Sequence, residues 1–215
     1  MKNRLLKGLV ASFTLVVSGI ADAGVIVSAI SASASSEYSS GYDIGNTIDQ
    51  SGLSLTYNSG VDDFDTYLGL NPSHVNTSFN NEWFSSVGVK SASVIYDLGQ
   101  IFNLDAIALW VEDAWAPHLN VSFNVSTDGV SYSSIAAGID LPVNSGDYLA
   151  TRFDFSAVSA RYFSIELGTC FFDGCSLGEI AFSTISADVA PVPEPSTLAI
   201  FALGLLGLAT RKFYK

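Results

Sequence analysis

Between two apolar ends, the chain alternates apolar and polar positions with a period of two. Residues 25–31 put Val25, Val27 and Ala29 on one side and Ile26, Ser28 and Ile30 on the other, and 53–57 alternate in the same way. Further short runs, at 92–98, 106–111, 121–126, 130–135, 152–155, 162–167 and 177–182, are rich in β-branched and aromatic residues and bounded by Gly, Asn, Asp or Ser. This pattern predicts strands. Asp128-Gly129, between two such runs, predicts a hairpin turn, because the glycine supplies positive φ. No window of 11 or more residues between the ends carries a helical period. Many short strands without helical partners predict an all-β protein, a β-sandwich or jelly roll.

The two ends read as addresses. Lys2, Arg4 and Lys7 precede an apolar stretch at 5–20 and a small-x-small site, Ala21-Asp22-Ala23, the pattern of a signal peptide over 1–23 cut by signal peptidase. At the other end, Pro193-Glu194-Pro195 precedes an apolar run at 198–209 and a basic close, Arg211, Lys212 and Lys215. As a helix that run covers ~18 Å, short of the ~30 Å hydrocarbon core of a bilayer. The basic tail is placed inside and the middle of the chain outside, as the positive-inside rule requires. The expected order is a signal peptide at 1–23, a domain at 24–185 and a linker at 186–196. A short transmembrane helix at 197–210 and a basic cytoplasmic tail at 211–215 complete it.

The three-part tail resembles the PEP-CTERM sorting signal of Gram-negative bacteria. That resemblance implies processing by an exosortase, a transient membrane anchor and delivery to the cell surface or extracellular matrix.

Setting both ends aside sharpens the charge. Of 21 acidic residues only Asp22 and Glu194 lie in the ends, whereas the basic residues left inside are Lys90, Arg152 and Arg161. So acidic a domain is a poor partner for nucleic acid or anionic lipid. It suits divalent cations or neutral sugars, and equally it suits mere solubility.

A second resemblance rests on an ordered set of short landmarks. They are Ile48-Asp49-Gln50-Ser51-Gly52, Trp83-Phe84-Ser85, Val94-Ile95-Tyr96-Asp97-Leu98-Gly99, Phe123-Asn124-Val125-Ser126-Thr127-Asp128-Gly129, Ala160-Arg161-Tyr162-Phe163-Ser164-Ile165 and Leu177-Gly178-Glu179-Ile180. Together they resemble discoidin (factor V/VIII C-terminal type) domains and family 32 carbohydrate-binding modules, which implies a galactose-binding-like jelly-roll sandwich. The chain departs from that pattern at Gln50, where glycine is commoner, and in a long insert containing Asp62-Asp63-Phe64-Asp65.

The resemblance implies a structural calcium held by Asp49, by the backbone and hydroxyl of Gly52 to Ser54, and by Glu179. The oxygen donors suit that ion. The alternative is an Asx-turn at Asp49 and a solvated Glu179. Asp62, Asp63 and Asp65 could form a second site or an acidic solvated loop.

Sugar recognition needs an aromatic face and a few polar groups. Glu112, Trp115 and His118 in one loop, and Phe171, Phe172 and Asp173 in another, offer both; the alternative is that the aromatics cap the core. Trp83 and Trp110 sit inside strand-like runs and are read as core. Cys170 and Cys175 are expected to pair in an exported chain, a short closure worth roughly 2 kcal/mol. Two thiolates with His74 and His118 far off in sequence do not make a zinc site.

No nucleophile elbow, HExxH or phosphate loop is present, and nothing selects a carboxylate pair. The expected function is therefore non-catalytic binding of extracellular polysaccharide, rather than a glycosidase. The alternative is a structural or adhesion protein of the biofilm matrix.

Overall fold

The computed structural model describes residues 24–76, 79–111, 118–142, 144, 146–170 and 174–185. The expected signal peptide and the expected sorting tail lie outside them. The strands are β1 (Val25–Val27), β2 (Ser31–Ala34), β3 (Ser73–His74), β4 (Trp83–Phe84), β5 (Ala92–Trp110) and β6 (Val121–Ser126). After them come β7 (Ser133–Ile139), β8 (Tyr148–Leu149), β9 (Thr151–Leu167), β10 (Ser176–Leu177) and β11 (Glu179–Thr184), and one short helix, α1, spans Phe64–Gly69.

The architecture follows from two long strands that fold over. β5 and β9 pair antiparallel, with register shifts between Asp97 and Phe102 and between Leu104 and Ala106. Gly99 turns the chain there at φ 83°, and its N–H donates to Asp97 Oδ1. Each strand thereby serves two layers. The first half of β5 and the second half of β9 lie with β2, β6 and β7, while their other halves lie with β11 and, beyond it, β1. The expected all-β sandwich is what the chain forms.

Apolar alternation decides which side faces in. Val94, Tyr96 and Leu98 of one layer and Ile107, Leu109, Ile180 and Phe182 of the other share a single buried core. Across it the ring of Phe182 meets Phe163 at 5.3 Å and Tyr96 at 6.0 Å. Phe182→Ala would remove both contacts, a change that costs about 3–5 kcal/mol in a well-packed core. The run Ala106-Ile107-Ala108-Leu109-Trp110 is apolar without alternation because its other face is covered too. Ala106, Ala108 and Trp110 pack beneath Tyr57, Phe64, Tyr67 and Tyr148. Trp83 and Trp110 are both fully buried, as read, and each indole N–H donates to a backbone carbonyl, of Ser36 and Pro72 respectively.

Several boundaries differ from the periodic reading. The 25–31 run breaks at Ser28, whose N–H donates to Ser59 Oγ and whose hydroxyl donates to Tyr57 Oη. The chain then crosses from β1 in one layer to β2 in the other. The 53–57 run makes only a single bridge, Leu53 to His74. The acidic insert forms α1, where Asp63 caps the helix by accepting from the Thr66 N–H.

Because β5 and β9 double back, the long connections gather at one end of the sandwich and the tight turns at the other. The described residues of segments 35–43, 85–91, 111–120, 140–150 and 168–178 lie at the long-loop end. The 127–132 turn and the Gly99 bend lie at the hairpin end, together with both termini of the described domain, where Val25 pairs with Thr184. There Arg161 grips Asp97 through two hydrogen bonds of 2.8 and 2.9 Å, which hold the Asp97 carboxyl below the usual carboxylate range.

Candidate functional site

The two loops named for sugar binding are anchored to one another. Leu119 and Thr169 exchange N–H to carbonyl hydrogen bonds of 2.9 Å in both directions. His118 Nε2 sits 2.9 Å from the Ser176 carbonyl oxygen and 3.1 Å from its backbone nitrogen. The His118 carbonyl in turn accepts from the Leu141 N–H. Among the described residues, those that follow 112–117 and those that flank 171–173 are thus adjacent at the long-loop end. Glu112, Trp115, Phe171, Phe172 and Asp173 themselves lie outside the described residues.

His118 requires a correction. It is 1% exposed, so its ring is a strut between the loops and not a group presented to a ligand.

Cys170 and Cys175 form the expected disulfide, with Cα atoms 5.1 Å apart. Both belong to the main core. The Cys170 N–H donates to Lys90 O, and the Cys175 N–H to Ser85 Oγ. Cys170 and Cys175 are therefore tied to the 85–90 segment as well as to the core.

A polar centre lies beneath the 49–54 turn. Glu179, the first residue of β11, is fully buried, and its Oε2 accepts from the Gln50 N–H at 2.9 Å. Its Oε1 has no hydrogen-bond partner among the described residues. Burial, with Asp49 nearby as a like charge, pushes this carboxyl well above its ordinary range, against the opposing pull of the Gln50 and Ile180 N–H groups.

Asp49 is exposed, and its Oδ1 accepts from the Ser51 N–H in an Asx-turn. Ser54 exchanges hydrogen bonds with Ser73: its N–H donates to Ser73 O, and its Oγ accepts from the Ser73 N–H. Gly52 packs on His74 so closely that an added Cβ would lie 2.0 Å from Nε2. The four residues expected at the calcium site thus fall on one turn and the strand end beneath it.

His74 is buried and stacks on Tyr148 at 5.2 Å. Burial pulls its pKa down, opposed by the Val75 and Asn81 carbonyls and by Asp49 and Asp147. Tyr148 donates its hydroxyl to Glu82 Oε1 at 2.7 Å, and Glu82 is itself fully buried. Among the described residues no group of three or more His, Cys, Asp or Glu side chains is placed to hold a metal ion.

The three carboxylates of the insert are engaged in other ways. Asp62 accepts from the Asn58 N–H, Asp63 caps α1, and Asp65 pairs with Arg152.

Two features at the long-loop end escaped the sequence reading. A shallow cleft of about 300 Å³ is lined by Ser35, Ser91, Ser93, Glu166 and Gly168, among others. Beside it a set of aromatic rings, Tyr38, Tyr42, Phe79 and Phe84, joins two loops. These rings are spread over 46 residues of chain with no shared period, so their meeting was legible only as a count of aromatics in loops.

A PEP-CTERM protein-sorting motif is matched at residues 191–212. No curated protein matches the chain. Among solved structures it is similar to chitosan-binding module 1 of a chitosanase/glucanase from Paenibacillus sp. IK-5, at 22% identity, covering 73% of this chain and 95% of that one with a TM-score of 0.49. It is also similar to CBM32-3 from a family 31 glycoside hydrolase of Clostridium perfringens, at 18% identity over 74% and 90% of the two chains, TM-score 0.49. A GH29 fucosidase of Ruminococcus gnavus matches at 18% identity over 74% of this chain and 26% of its own, TM-score 0.48.

Proposed function

We propose that this chain is an exported, non-catalytic surface protein that binds extracellular polysaccharide through the loops at one end of its sandwich. The observation that supports the reading is the pair of cross-links, Leu119 to Thr169 and His118 to Ser176, which bring together the described residues that flank the two aromatic-bearing segments. Trp115 with Phe171 or Phe172 would supply the apolar ring face, and Glu112 and Asp173 the hydroxyl acceptors. The nearby cleft is lined by serines and Glu166, groups suited to sugar hydroxyls. The sorting motif supplies the address: export, processing by an exosortase-type enzyme and display at the surface or in the matrix of a Gram-negative cell, with a transient membrane anchor through 197–210.

A structural calcium belongs to the same proposal. The buried Glu179 Oε1 without a partner, beside Asp49, is a site where a cation would relieve an uncompensated carboxylate. Glu179 and Asp49 would give the charged ligands. With so few carboxylates placed together, the remaining oxygens would come from the backbone of the 49–54 turn and from water. The ion would order that turn.

The test is a binding titration of the mature protein against a polysaccharide panel that includes the producing cell's own exopolymer, with calcium and with chelator. Saturable binding lost in Trp115→Ala or Phe171→Ala is the expected result. A folded protein that binds nothing on the panel would instead be a structural or adhesion protein of the matrix.

A further inference from the structure

The long-loop end carries exposed aromatic surface that the two named loops do not account for. Tyr38 is 55% exposed and Phe79 61% exposed, a large share for rings of this size in a domain whose other rings are mostly buried. They are held from behind. Tyr42 lies between them, its ring centroid 6.0 Å from Tyr38, 5.5 Å from Phe79 at 89° and 5.2 Å from Phe84 at 84°. The edge-to-face contacts to Phe79 and Phe84 fix the Tyr42 ring, on which Tyr38 rests at a tilt of 52°.

The backbone fixes the loops as well. The Tyr38 N–H donates to Phe84 O, the Phe84 N–H to Tyr42 O, and the Asn80 N–H to Gly41 O. Phe79 packs against the chain at Gly41, where an added Cβ would come 2.0 Å from its ring. Two exposed rings on a rigid backing are preorganised surface, whose cost of ordering on binding has already been met.

The chemistry around the rings selects the ligand. Glu37 and Asp43 flank the platform, each using one carboxylate oxygen on a backbone N–H, of Ile44 and Gly45 respectively. The adjoining chain is Ser35, Ser36, Ser39 and Ser40. Aromatic faces edged with hydroxyls and carboxylates fit a pyranose ring, with its apolar face on the rings and its hydroxyls on the acceptors. The acidic surroundings disfavour anionic lipid and polyanionic glycans. The platform is also continuous with the disulfide loop, since Phe84 pairs with Ser176 and the Ser85 N–H donates to Cys175 O.

We infer that Tyr38 and Phe79, backed by Tyr42, form a second carbohydrate subsite for an uncharged or amine-bearing pyranose of the same polysaccharide chain. This rests on the proposed function and places a new contact beside it. A polymer crossing the long-loop end would meet Tyr38 and Phe79 in addition to the aromatics of the 112–117 and 171–173 segments. Their contributions would add within one chain.

The experiment is isothermal titration of the mature protein with galactomannan and with chitosan, using alginate as the polyanionic control. It compares wild type with Tyr38→Ala, Phe79→Ala and Gly41→Ala; circular dichroism confirms folding. Loss of an aromatic contact of about 1 kcal/mol is about a fivefold change in affinity. Each exposed-ring variant is expected to weaken binding to the neutral or amine-bearing polymer about fivefold. Gly41→Ala, which must displace Phe79, should match Phe79→Ala, and alginate should not bind any form. Wild-type binding that is lost in Trp115→Ala yet unchanged in Tyr38→Ala and Phe79→Ala would overturn the subsite and leave the proposed function standing. Failure of the folded wild type to bind any polymer would remove both. Variants that change self-association but not glycan affinity would overturn the subsite in favour of a contact between copies of the chain.

Discussion

Gln50 and Glu179, 129 positions apart, meet through a single hydrogen bond of 2.9 Å from the Gln50 N–H to Glu179 Oε2. The bond closes the 49–54 turn onto the first residue of the last strand. Gln50 adopts φ 63° to reach it, a left-handed conformation that a side-chain-bearing residue takes only when its surroundings hold it there. Glutamine can stand where glycine is commoner because its side chain is also put to use. Gln50 Oε1 accepts from the Tyr57 N–H and its Nε2 donates to Tyr57 O.

A cation at this turn would bind the folded state alone. Calcium at a hundred times its dissociation constant would add about 2.7 kcal/mol, or roughly 5–11 °C in melting temperature for a domain of this size. Wild type should show that rise, reversed by chelator, and Glu179→Gln should not. In chelator, Glu179→Gln should be no less stable than wild type at neutral pH, because it removes a buried carboxylate that lacks a partner on one oxygen. A wild-type melting temperature indifferent to calcium would end the metal reading.

Gly52→Ala should destabilise the domain by about 1–3 kcal/mol through overpacking, since the new methyl would collide with the buried His74 ring. Gly60→Ala is the control. Gly60 has φ 79° with nothing within 4 Å of an added Cβ, so its cost is backbone strain alone, about 1–2 kcal/mol. Urea unfolding of the two variants separates collision from strain; no loss in Gly52→Ala would show that the turn yields to His74 freely.

His118→Ala should lower stability by about 2 kcal/mol, since it strips the buried Ser176 backbone of its ring partner. It should also weaken polysaccharide binding, by releasing one loop from the other. Trp115→Ala should weaken binding with little loss of stability. The comparison is read by denaturant titration alongside binding, and full affinity in a folded His118→Ala protein would mean that the loops do not need this strut.

The hairpin turn carries a pH dependence of its own. Hydrogen bonds from the Ser131 and Val130 N–H groups and the Ser126 hydroxyl hold the Asp128 carboxyl down at about 2. An unfolded aspartate titrates at about 3.9, so the folded state binds fewer protons in the interval. The turn's contribution is complete above about pH 4 and is lost as pH falls through about 2. Asp128→Ala should be less stable than wild type at pH 7, with the gap closing at the acid end. A gap that stays constant down to pH 2 would refute the assignment.

Legibility followed the period. Strands inside the sandwich, such as β6 and the halves of β5 and β9, were readable because one face of each must be apolar. The 53–57 run shows where the rule fails. It alternates, yet Tyr57 has both backbone groups satisfied by the Gln50 side chain in place of a neighbouring strand. A side-chain amide replaced a ladder, and hydrophobic pattern carries no sign of that.

The helix α1 escaped because six residues do not make two full turns; its signal was the Asp63 cap with Thr66 three residues on. At the candidate site, Asp49, Gly52, Ser54 and Glu179 were named through the resemblance, and the structure sets them on one turn and the strand end beneath it. Tyr38 and Phe79 were missed because each belongs to a loop whose conformation is set by long-range hydrogen bonds. His118 was misjudged because a polar residue in a loop gives no hint that the loop's base is buried.

The pairing of Val25 with Thr184 has a consequence for how the protein is worn by the cell. The Ile185 N–H is fastened to Asn103 O, so the described domain ends at the hairpin end, opposite the loop that carries Tyr38. If the protein is held by the segment that follows, its hairpin end would face the anchor and the proposed sugar-binding end, the rim, would face away. Lys90, the one lysine between residues 24 and 185, sits at the rim. Attaching the protein to a surface through its C-terminal side should leave the rim open to polymer, whereas attaching it through that amine should turn the rim to the wall.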